Sequence, residues 1–224
     1  MDGKLIVIEG LDGCGKNTQT KLLVDFLLSQ GETAEYLSFP NYSSPSSALI
    51  KMYLNSEFGS SPSDVNAYAA ASFYAVDRFA SFKKFWGKSY ESGKIIICDR
   101  YTTSNTFYQM AKLTENSWNE YLTWLYDYEY NKLGLPRPDA VIYLNMPINI
   151  SQELMKKRYG GDEAKKDIHE SDTTFLKKCE EIASFVGKKD NWFVINCTLN
   201  GKIKNEGQIH SEIKDLLREV NIIR

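Results

Sequence analysis

A strand, a glycine-rich loop and a helix follow one another at the start of the chain, and this stretch constrains the fold most. Residues 5–8 are a short aliphatic run, mostly β-branched, which is typical of a buried parallel strand. Residues 22–27 carry apolar side chains at helical spacing. Between them lies the loop Gly10-Leu11-Asp12-Gly13-Cys14-Gly15-Lys16. This order predicts the opening of a strand–helix–strand unit in a parallel sheet.

The rest of the chain repeats the alternation of strands and helices. Apolar runs predict further strands at 34–39, 95–98, 140–144 and 192–195. Apolar residues at helical spacing predict helices over 64–86, 103–113, 115–133, 150–158, 172–186 and 209–220. Strands separated by helices indicate a parallel sheet with helices on both faces. We find no repeat and no linker, so we expect an α/β fold with one domain over residues 1–224.

Composition excludes several classes of protein. The 27 basic and 29 acidic side chains give a net charge of −2, which is not the basic field of a duplex-binding protein. The four cysteines include no C-x-x-C pair, and only two histidines could complete a metal site. No segment approaches the roughly 20 apolar residues that cross a bilayer, and no signal peptide is recognisable. We therefore expect a cytoplasmic protein with reduced cysteines that binds neither nucleic acid nor a membrane.

The loop has the G-x-x-x-x-G-K pattern that binds nucleotide phosphates, in the strand–loop–helix context that the pattern requires. Its glycines let backbone N–H groups turn towards phosphate oxygens, and the helix N-terminus adds partial positive charge. Lys16 is expected to reach the β- and γ-phosphates of ATP. The residues expected to contact the ATP phosphates are Gly10, Leu11, Asp12, Gly13, Cys14, Gly15, Lys16, Asn17 and Thr18.

The residue after the loop lysine departs from the pattern. That position is usually Ser or Thr, whose hydroxyl ligates Mg²⁺, but here it is Asn17, and Thr18 comes one position late. Either the Asn17 amide oxygen meets the cation or its water shell, or carboxylates hold the metal instead. The candidate metal ligands are therefore Asp99, Asn17 and Asp12.

Charged side chains also follow the strand predicted at 95–98, in the sequence Asp99-Arg100-Tyr101. Ligands of open parallel sheets bind beyond the carboxyl ends of the strands, so these residues are expected beside the glycine loop. Arg100 suits bidentate phosphate binding, and Asp99 suits water-mediated contact with Mg²⁺. A structural salt bridge at the end of the strand is the alternative.

Four motifs occur in order along the chain: Ile8-Glu9-Gly10-Leu11-Asp12-Gly13, Phe39-Pro40, Tyr74-Ala75-Val76-Asp77-Arg78 and Asp99-Arg100-Tyr101-x-x-Ser104-Asn105-x-x-Tyr108-Gln109. Together, at this spacing, they resemble the thymidylate kinase family, and the resemblance covers nearly the whole chain. It implies a P-loop kinase fold with a five-stranded parallel sheet, a homodimer, and ATP and dTMP as substrates. The implied reaction moves the γ-phosphoryl group of MgATP to dTMP and yields dTDP and ADP.

The resemblance also implies which residues bind dTMP. They would be Asp12, Phe39, Tyr42, Tyr74, Arg78, Arg100, Ser104, Asn105 and Tyr108. Tyr74 would stack on thymine, with the adjacent Phe73 as a competitor. Asn105 carries both a donor and an acceptor for the thymine edge, and the Tyr108 ring would crowd the 2′ position.

The polar stretch at 156–171, which we call the lid segment, falls where the family has a mobile lid. A cationic lid excludes water and neutralises charge on the transferring phosphoryl group. The phosphate loop carries no arginine, and Arg158 is the only arginine in the lid segment. Glu170 resembles an acidic lid residue of some family members. The implied catalytic side chains are Lys16, Asp12, Arg100 and Arg158.

Two other functions stay open at this point. A deoxynucleoside kinase also pairs a phosphate loop with Asp-Arg after a strand, but it phosphorylates a 5′-hydroxyl and needs no second phosphate clamp such as Arg78 with Tyr42. A non-catalytic P-loop protein would instead bind ATP to regulate a partner. ATP turnover that depends on dTMP would separate the three functions.

Overall fold

A parallel sheet of five strands runs through the centre of the molecule. The computed structural model describes residues 3–162 and 167–223. The strands are β1 (Lys4–Glu9), β2 (Ala34–Ser38), β3 (Ile95–Asp99), β4 (Ala140–Asn145) and β5 (Phe193–Asn196), in the spatial order β2-β3-β1-β4-β5. Every neighbouring pair is parallel. The α/β class and the five-stranded parallel sheet are therefore confirmed.

Helices connect the strands. In the described part of the chain they are α1 (Lys16–Ser29), α2 (Ala48–Leu54), α3 (Ala67–Ser81), α4 (Gly87–Glu91), α5 (Thr102–Met110), α6 (Trp118–Tyr126), α7 (Ile148–Arg158), α8 (Thr173–Lys189) and α9 (Glu206–Glu219). Two short strands, β6 (Thr198–Leu199) and β7 (Lys202–Ile203), pair antiparallel away from the main sheet. No helix within residues 3–162 and 167–223 has the length and apolar character needed to cross a membrane.

Strand β1 is apolar on both faces, so the sheet is covered on both sides. Leu5 and Val7 belong to one hydrophobic cluster, and Ile6 and Ile8 belong to another. Successive side chains of a strand point to opposite faces, which is why a continuous apolar run needs two covers. Side chains of α3, α5, α6 and α8 cover one face, and those of α1 and α9 cover the other.

Two helices that the sequence predicts as long are interrupted. The helix expected over 64–86 is α3 followed by a π-helical turn, Phe82–Trp86, and then by α4. The helix expected over 115–133 is α6 followed by a π-helical turn, Asp127–Lys132. Apolar spacing does not reveal the wider i→i+5 hydrogen bonding of a π turn. Helix α2 was missed because its seven residues are too few to show a helical period.

Strand register brings the ends of β1 and β3 together. Ile8 pairs with Asp99, and the backbone N–H of Arg100 donates to the Ile8 carbonyl oxygen at 3.1 Å. The glycine loop that follows β1 therefore starts beside Arg100. This edge, beyond the carboxyl ends of the strands, is where open parallel sheets bind their ligands.

Candidate active site

The glycine loop curls around the N-terminus of α1. Gly13 and Gly15 have φ angles of +80° and +91°, a region that residues with side chains rarely adopt. A Cβ on Gly13 would also lie 2.6 Å from the Ser151 carbonyl oxygen, so this position requires glycine. The Lys16 side chain is nearly buried, and its Nζ donates to the Leu11 carbonyl oxygen at 2.9 Å. Backbone N–H groups and a lysine thus converge, as phosphate binding requires.

A cleft of about 900 Å³, which we call the outer cleft, lies against this loop. Asp99, Arg100 and Arg158 line it, and the Arg158 side chain is exposed at the end of α7. The residues predicted to contact ATP phosphates that also line it are Asp12, Gly13, Gly15, Lys16, Asn17 and Thr18. The others, Gly10, Leu11 and Cys14, form the buried base of the loop. The outer cleft thus brings most of the predicted ATP site together.

A narrower space of about 70 Å³, which we call the inner chamber, adjoins the outer cleft. Every residue predicted to bind dTMP lines it: Asp12, Phe39, Tyr42, Tyr74, Arg78, Arg100, Ser104, Asn105 and Tyr108. Asp12, Phe39, Tyr42 and Arg100 line both spaces. A group bound by the glycine loop and a group bound in the chamber would therefore face each other across Asp12 and Arg100.

Arg100 is fixed at the boundary between the two spaces. Its φ of +67° is unusual for a residue with a side chain and costs on the order of 1–3 kcal/mol. Its guanidinium pairs with Asp12 and donates to the hydroxyl groups of Tyr108 and Ser104, both at 3.3 Å. The surrounding contacts thus hold a permanent cation where a phosphate could reach it.

Asp12 is held in its ionised form. The Tyr108 hydroxyl donates to its Oδ2 at 2.8 Å, and the Lys16 Nζ lies 4.0 Å from its Oδ1. Burial alone would raise the pKa of this carboxyl, but Arg100 and Lys16 outweigh burial and hold the pKa well below its ordinary value. The carboxylate can therefore accept a hydrogen bond from a ligand hydroxyl.

Aromatic rings form the walls of the inner chamber. Phe39 follows the end of β2, and its ring centroid lies 6.0 Å from that of Tyr101. Tyr74 lines the chamber from α3, whereas the adjacent Phe73 packs against Phe58 at 5.9 Å. Adjacent helix positions point about 100° apart, so only one of the two rings can face the chamber. Tyr74 is that ring.

Asn105 and Arg78 form the polar end of the inner chamber. The Asn105 Nδ2 donates to the Ala71 carbonyl oxygen at 3.2 Å and to Glu129 Oε1 at 3.1 Å. Both partners are acceptors, which fixes the direction of the amide. The expectation that Asn105 offers a base both a donor and an acceptor is therefore wrong. Its free atom is the acceptor Oδ1, and Arg78 lines the same chamber with its N–H groups.

Three residues of this site carry no role in the sequence analysis. Gln109 lines the chamber, and its Oε1 is buried with no hydrogen-bond partner among the described residues. Glu9, fully buried, accepts from the Ser104 hydroxyl at 2.8 Å, so the Ser104 proton points away from the chamber. Burial raises the pKa of Glu9 although Arg100 lies nearby. Glu129 is also fully buried, and it lies in the π-helical turn after α6, four residues after the buried Leu125. A charge at such a position signals a buried partner.

The described ends of the lid segment lie over both spaces. Its first residues finish α7 at Arg158, and residues 163–166 lie outside the described ranges. The Tyr159 hydroxyl donates to both carboxylate oxygens of Glu170 at 3.0 Å. His169 lines the chamber, where its ring stacks on Tyr108 with centroids 5.2 Å apart. The segment thus contributes to the chamber as well as to the outer cleft.

Asp99 is well placed to meet a hard cation. Its carboxylate is nearly buried, lines the outer cleft and accepts no hydrogen bond from a described residue. Asn17 is exposed beside it and donates through Nδ2 to the Tyr36 hydroxyl at 2.7 Å, which leaves Oδ1 for the cleft. Asp12 is already paired with Arg100. Within the described ranges, no cluster of three His, Cys, Asp or Glu could hold a metal alone. The donors fit Mg²⁺ that takes its other ligands from phosphates and water.

Comparisons with known proteins agree on one family. The family model described as thymidylate kinase matches residues 8–211. The thymidylate kinase of Plasmodium falciparum is 32% identical over 222 residues, covering 99% of this chain and 91% of that protein. That of Schizosaccharomyces pombe is 31% identical over 220 residues, covering 98% and 94%. The solved thymidylate kinase of Candida albicans has the same fold, with a TM-score of 0.74 at 24% identity over 98% of this chain and 93% of that one.

The buried His169 predicts how stability depends on pH. Burial lowers its pKa from 6.5 to about 3, with Lys112 adding to the effect. The unfolded chain therefore takes up a proton near pH 6.5 that the folded chain does not, so the free energy of unfolding falls as pH drops below that value, by at most about 1.4 kcal/mol per pH unit. His169→Phe keeps a ring in the stack and should flatten this dependence.

The measurement is urea unfolding of both proteins at several pH values between about 4.5 and 7.5. His210→Phe is the comparison variant: burial lowers the pKa of His210 as well, but this second histidine is only partly buried, so its replacement should flatten the dependence less than His169→Phe does. An unchanged slope in His169→Phe would contradict the prediction.

Proposed function

Because the chain belongs to the thymidylate kinase family, we infer that it transfers the γ-phosphoryl group of ATP to dTMP and yields dTDP and ADP. The observation that supports this inference most directly is the lining of the inner chamber, which contains every residue predicted to bind dTMP. Asp12 and Arg100 line both this chamber and the outer cleft beside the phosphate loop. The α- to γ-phosphates of ATP would lie in the outer cleft, and dTMP would lie in the inner chamber.

The phosphate loop would hold ATP through its backbone N–H groups and Lys16. In this proposal the Lys16 Nζ exchanges the Leu11 carbonyl for the β- and γ-phosphates, a short movement for a flexible side chain. Arg158 lines the same cleft and would neutralise charge that develops on the transferring group. Lys16 and Arg158 would both act by neutralising phosphate charge, so the reaction needs no covalent intermediate with the protein.

The inner chamber would select the base by hydrogen bonding. Arg78 would donate to the O4 of thymine, and Asn105 Oδ1 would accept its N3–H. Cytosine has an acceptor at N3 and a donor at C4, so both contacts would be mismatched. A buried mismatch costs about 1–3 kcal/mol, which corresponds to roughly 10- to 100-fold discrimination. Tyr74 and Phe39 would enclose the ring.

The sugar and phosphate of dTMP would lie nearer the outer cleft. Arg100 and Tyr42 line both spaces and would contact the 5′-phosphate, which is the nucleophile. Tyr108 would exclude a 2′-hydroxyl, and Asp12 would accept the 3′-hydroxyl. Catalysis would then consist of alignment of the two phosphates and stabilisation of charge.

We propose that ATP is bound with Mg²⁺. When bound, the metal would offset the negative charge of the phosphates. Asp99 and the Asn17 amide oxygen are the protein groups that would hold it or its water shell, because Asp12 already pairs with Arg100.

We also propose a cytoplasmic homodimer. The four cysteines are free and buried, which suits a reducing compartment. Val76 on α3 and Phe85 in the following π turn are both about half exposed, and a second copy of the chain could cover them.

A nucleotide panel tests the proposed function. We expect ADP release from MgATP to depend on dTMP, with much weaker responses to dCMP and UMP. Cytosine mismatches the hydrogen-bonding groups at the polar end of the chamber, and UMP carries the 2′-hydroxyl that Tyr108 would exclude. ATP turnover that is independent of any acceptor would favour a regulatory P-loop protein. Phosphorylation of thymidine in place of dTMP would favour a deoxynucleoside kinase.

Lys16→Met should nearly abolish transfer while the protein stays folded, since it removes a cation at the phosphates without opening the core. Lys21→Met, an exposed position on the same helix, is the matched control and should keep wild-type kcat. The measurement is steady-state kinetics together with thermal unfolding. A Lys16→Met variant that retains more than about a tenth of kcat, a loss below about 1.4 kcal/mol, would contradict the assignment.

Asp99→Asn should raise the Mg²⁺ concentration needed for half-maximal activity by more than Asn17→Ala does, because a carboxylate attracts a hard cation more strongly than an amide. Titrations of activity with Mg²⁺ at fixed ATP measure the shift. Equal titrations for wild type and both variants would place the ion on the nucleotide phosphates alone.

A further inference from the structure

Glu129 forms the most fully buried ion pair among the described residues. It is 0% exposed, and its partner Arg78 is 2% exposed. The contact is bidentate: Arg78 Nε donates to Oε2 at 2.7 Å, and Nη2 donates to Oε1 at 2.6 Å. Burial alone would lower the pKa of Arg78, but Glu129 reverses the effect and raises it. Arg78 thus keeps its charge in this buried position.

The same carboxylate also receives two uncharged donors. Asn105 Nδ2 donates to Oε1 at 3.1 Å, and the Thr102 hydroxyl donates to Oε2 at 2.7 Å. Each oxygen of Glu129 therefore accepts one bond from Arg78 and one from α5. Glu129 itself is not among the residues that line the inner chamber, so it acts on the chamber through these neighbours.

These contacts determine which atoms the chamber offers to a ligand. Glu129 fixes two of the five N–H groups of Arg78, and Nη1 also points to the Tyr101 carbonyl oxygen at 3.4 Å. The remaining N–H groups of Arg78 are the donors at the polar end. Glu129 and the Ala71 carbonyl take both hydrogens of the Asn105 amide, which leaves its oxygen as the acceptor.

We propose that Glu129 is the positioning residue that makes the inner chamber select a pyrimidine with a 4-carbonyl and an N3–H over one with a 4-amino group. A carboxylate is the group that can do this, because it accepts from the guanidinium and from the amide at the same time. This inference rests on the proposed function and adds to it a residue that does not touch the substrate.

Glu129→Gln is the informative substitution. A glutamine has nearly the same size, but one of its terminal groups donates. In place of Oε1, that group meets Arg78 Nη2 and the Asn105 amide, and the amide is driven to turn round and present a donor where it now presents an acceptor. In place of Oε2, it meets Arg78 Nε and the Thr102 hydroxyl, and the guanidinium loses its bidentate partner and its fixed orientation. Either change weakens the contacts to thymine and removes the mismatch with cytosine.

The test compares kcat/KM for dTMP, dCMP and dUMP with MgATP as donor. For Glu129→Gln we expect the dTMP/dCMP ratio to fall at least about tenfold while the dTMP/dUMP ratio stays within about threefold of wild type. Uracil keeps the 4-carbonyl and N3–H and lacks only the methyl group. A variant that merely loosened the chamber would change both ratios or neither. The KM for ATP should not move.

Two further variants complete the experiment. Thr102→Val removes the hydroxyl donor to Glu129 but leaves both base-reading side chains in place, so its dTMP/dCMP ratio should match wild type. Glu129→Asp keeps the charge on a side chain one methylene shorter, which cannot meet both Arg78 and Asn105. If Glu129→Gln fails to fold, Glu129→Asp carries the test with the same two ratios.

The outcomes separate this inference from the proposed function. A folded Glu129 variant that keeps the wild-type dTMP/dCMP ratio overturns the inference and leaves the proposed function standing. A wild-type protein that phosphorylates no pyrimidine monophosphate overturns the proposed function, and the inference falls with it. An equal loss in Thr102→Val would also overturn the inference, since the effect would then belong to the packing of α5.

Discussion

The contact between Arg100 and Asp12 is the interaction on which the site depends. It joins the end of β3 to the glycine loop after β1, and it exists because the strand register places Ile8 beside Asp99. The parallel sheet thus brings together two charges that lie 88 residues apart in the chain. Asp12 and Arg100 line both the inner chamber and the outer cleft, so a displacement of Arg100 would change the shape of both spaces.

Carboxylates that are fully or partly buried give the site its rigidity. Asp12, Glu9 and Glu129 accept hydrogen bonds from side chains of α3 or α5 that line the inner chamber. Burying a carboxylate without hydrogen-bond partners costs free energy of folding. Leaving its buried partner without the carboxylate also costs free energy. The hydrogen bonds therefore fix the chamber side chains before a ligand arrives, which lowers the ordering cost of binding.

The resemblance to the thymidylate kinase family predicts the residues that line the inner chamber. From apolar runs and one motif of fixed spacing, the sequence itself predicts the sheet and the phosphate loop. It does not predict the π turns after α3 and α6, which change no residue pattern. It also misses Glu129, although a charge four residues after the apolar Leu125 is visible in the sequence. The free atom of Asn105 could not be predicted at all, since it depends on contacts with Ala71 and Glu129 that only the tertiary structure creates.

The stacking of His169 on Tyr108 has a consequence for the timing of catalysis. The inner chamber, at about 70 Å³, is well below the roughly 300–1,000 Å³ of common ligand sites, and part of its wall is His169 itself. On this side the chamber would widen if the turn at residues 167–171 moved aside and the bond between His169 and the Tyr53 hydroxyl broke. In the proposed function, the rate at which this turn moves would then contribute to how long the acceptor stays bound.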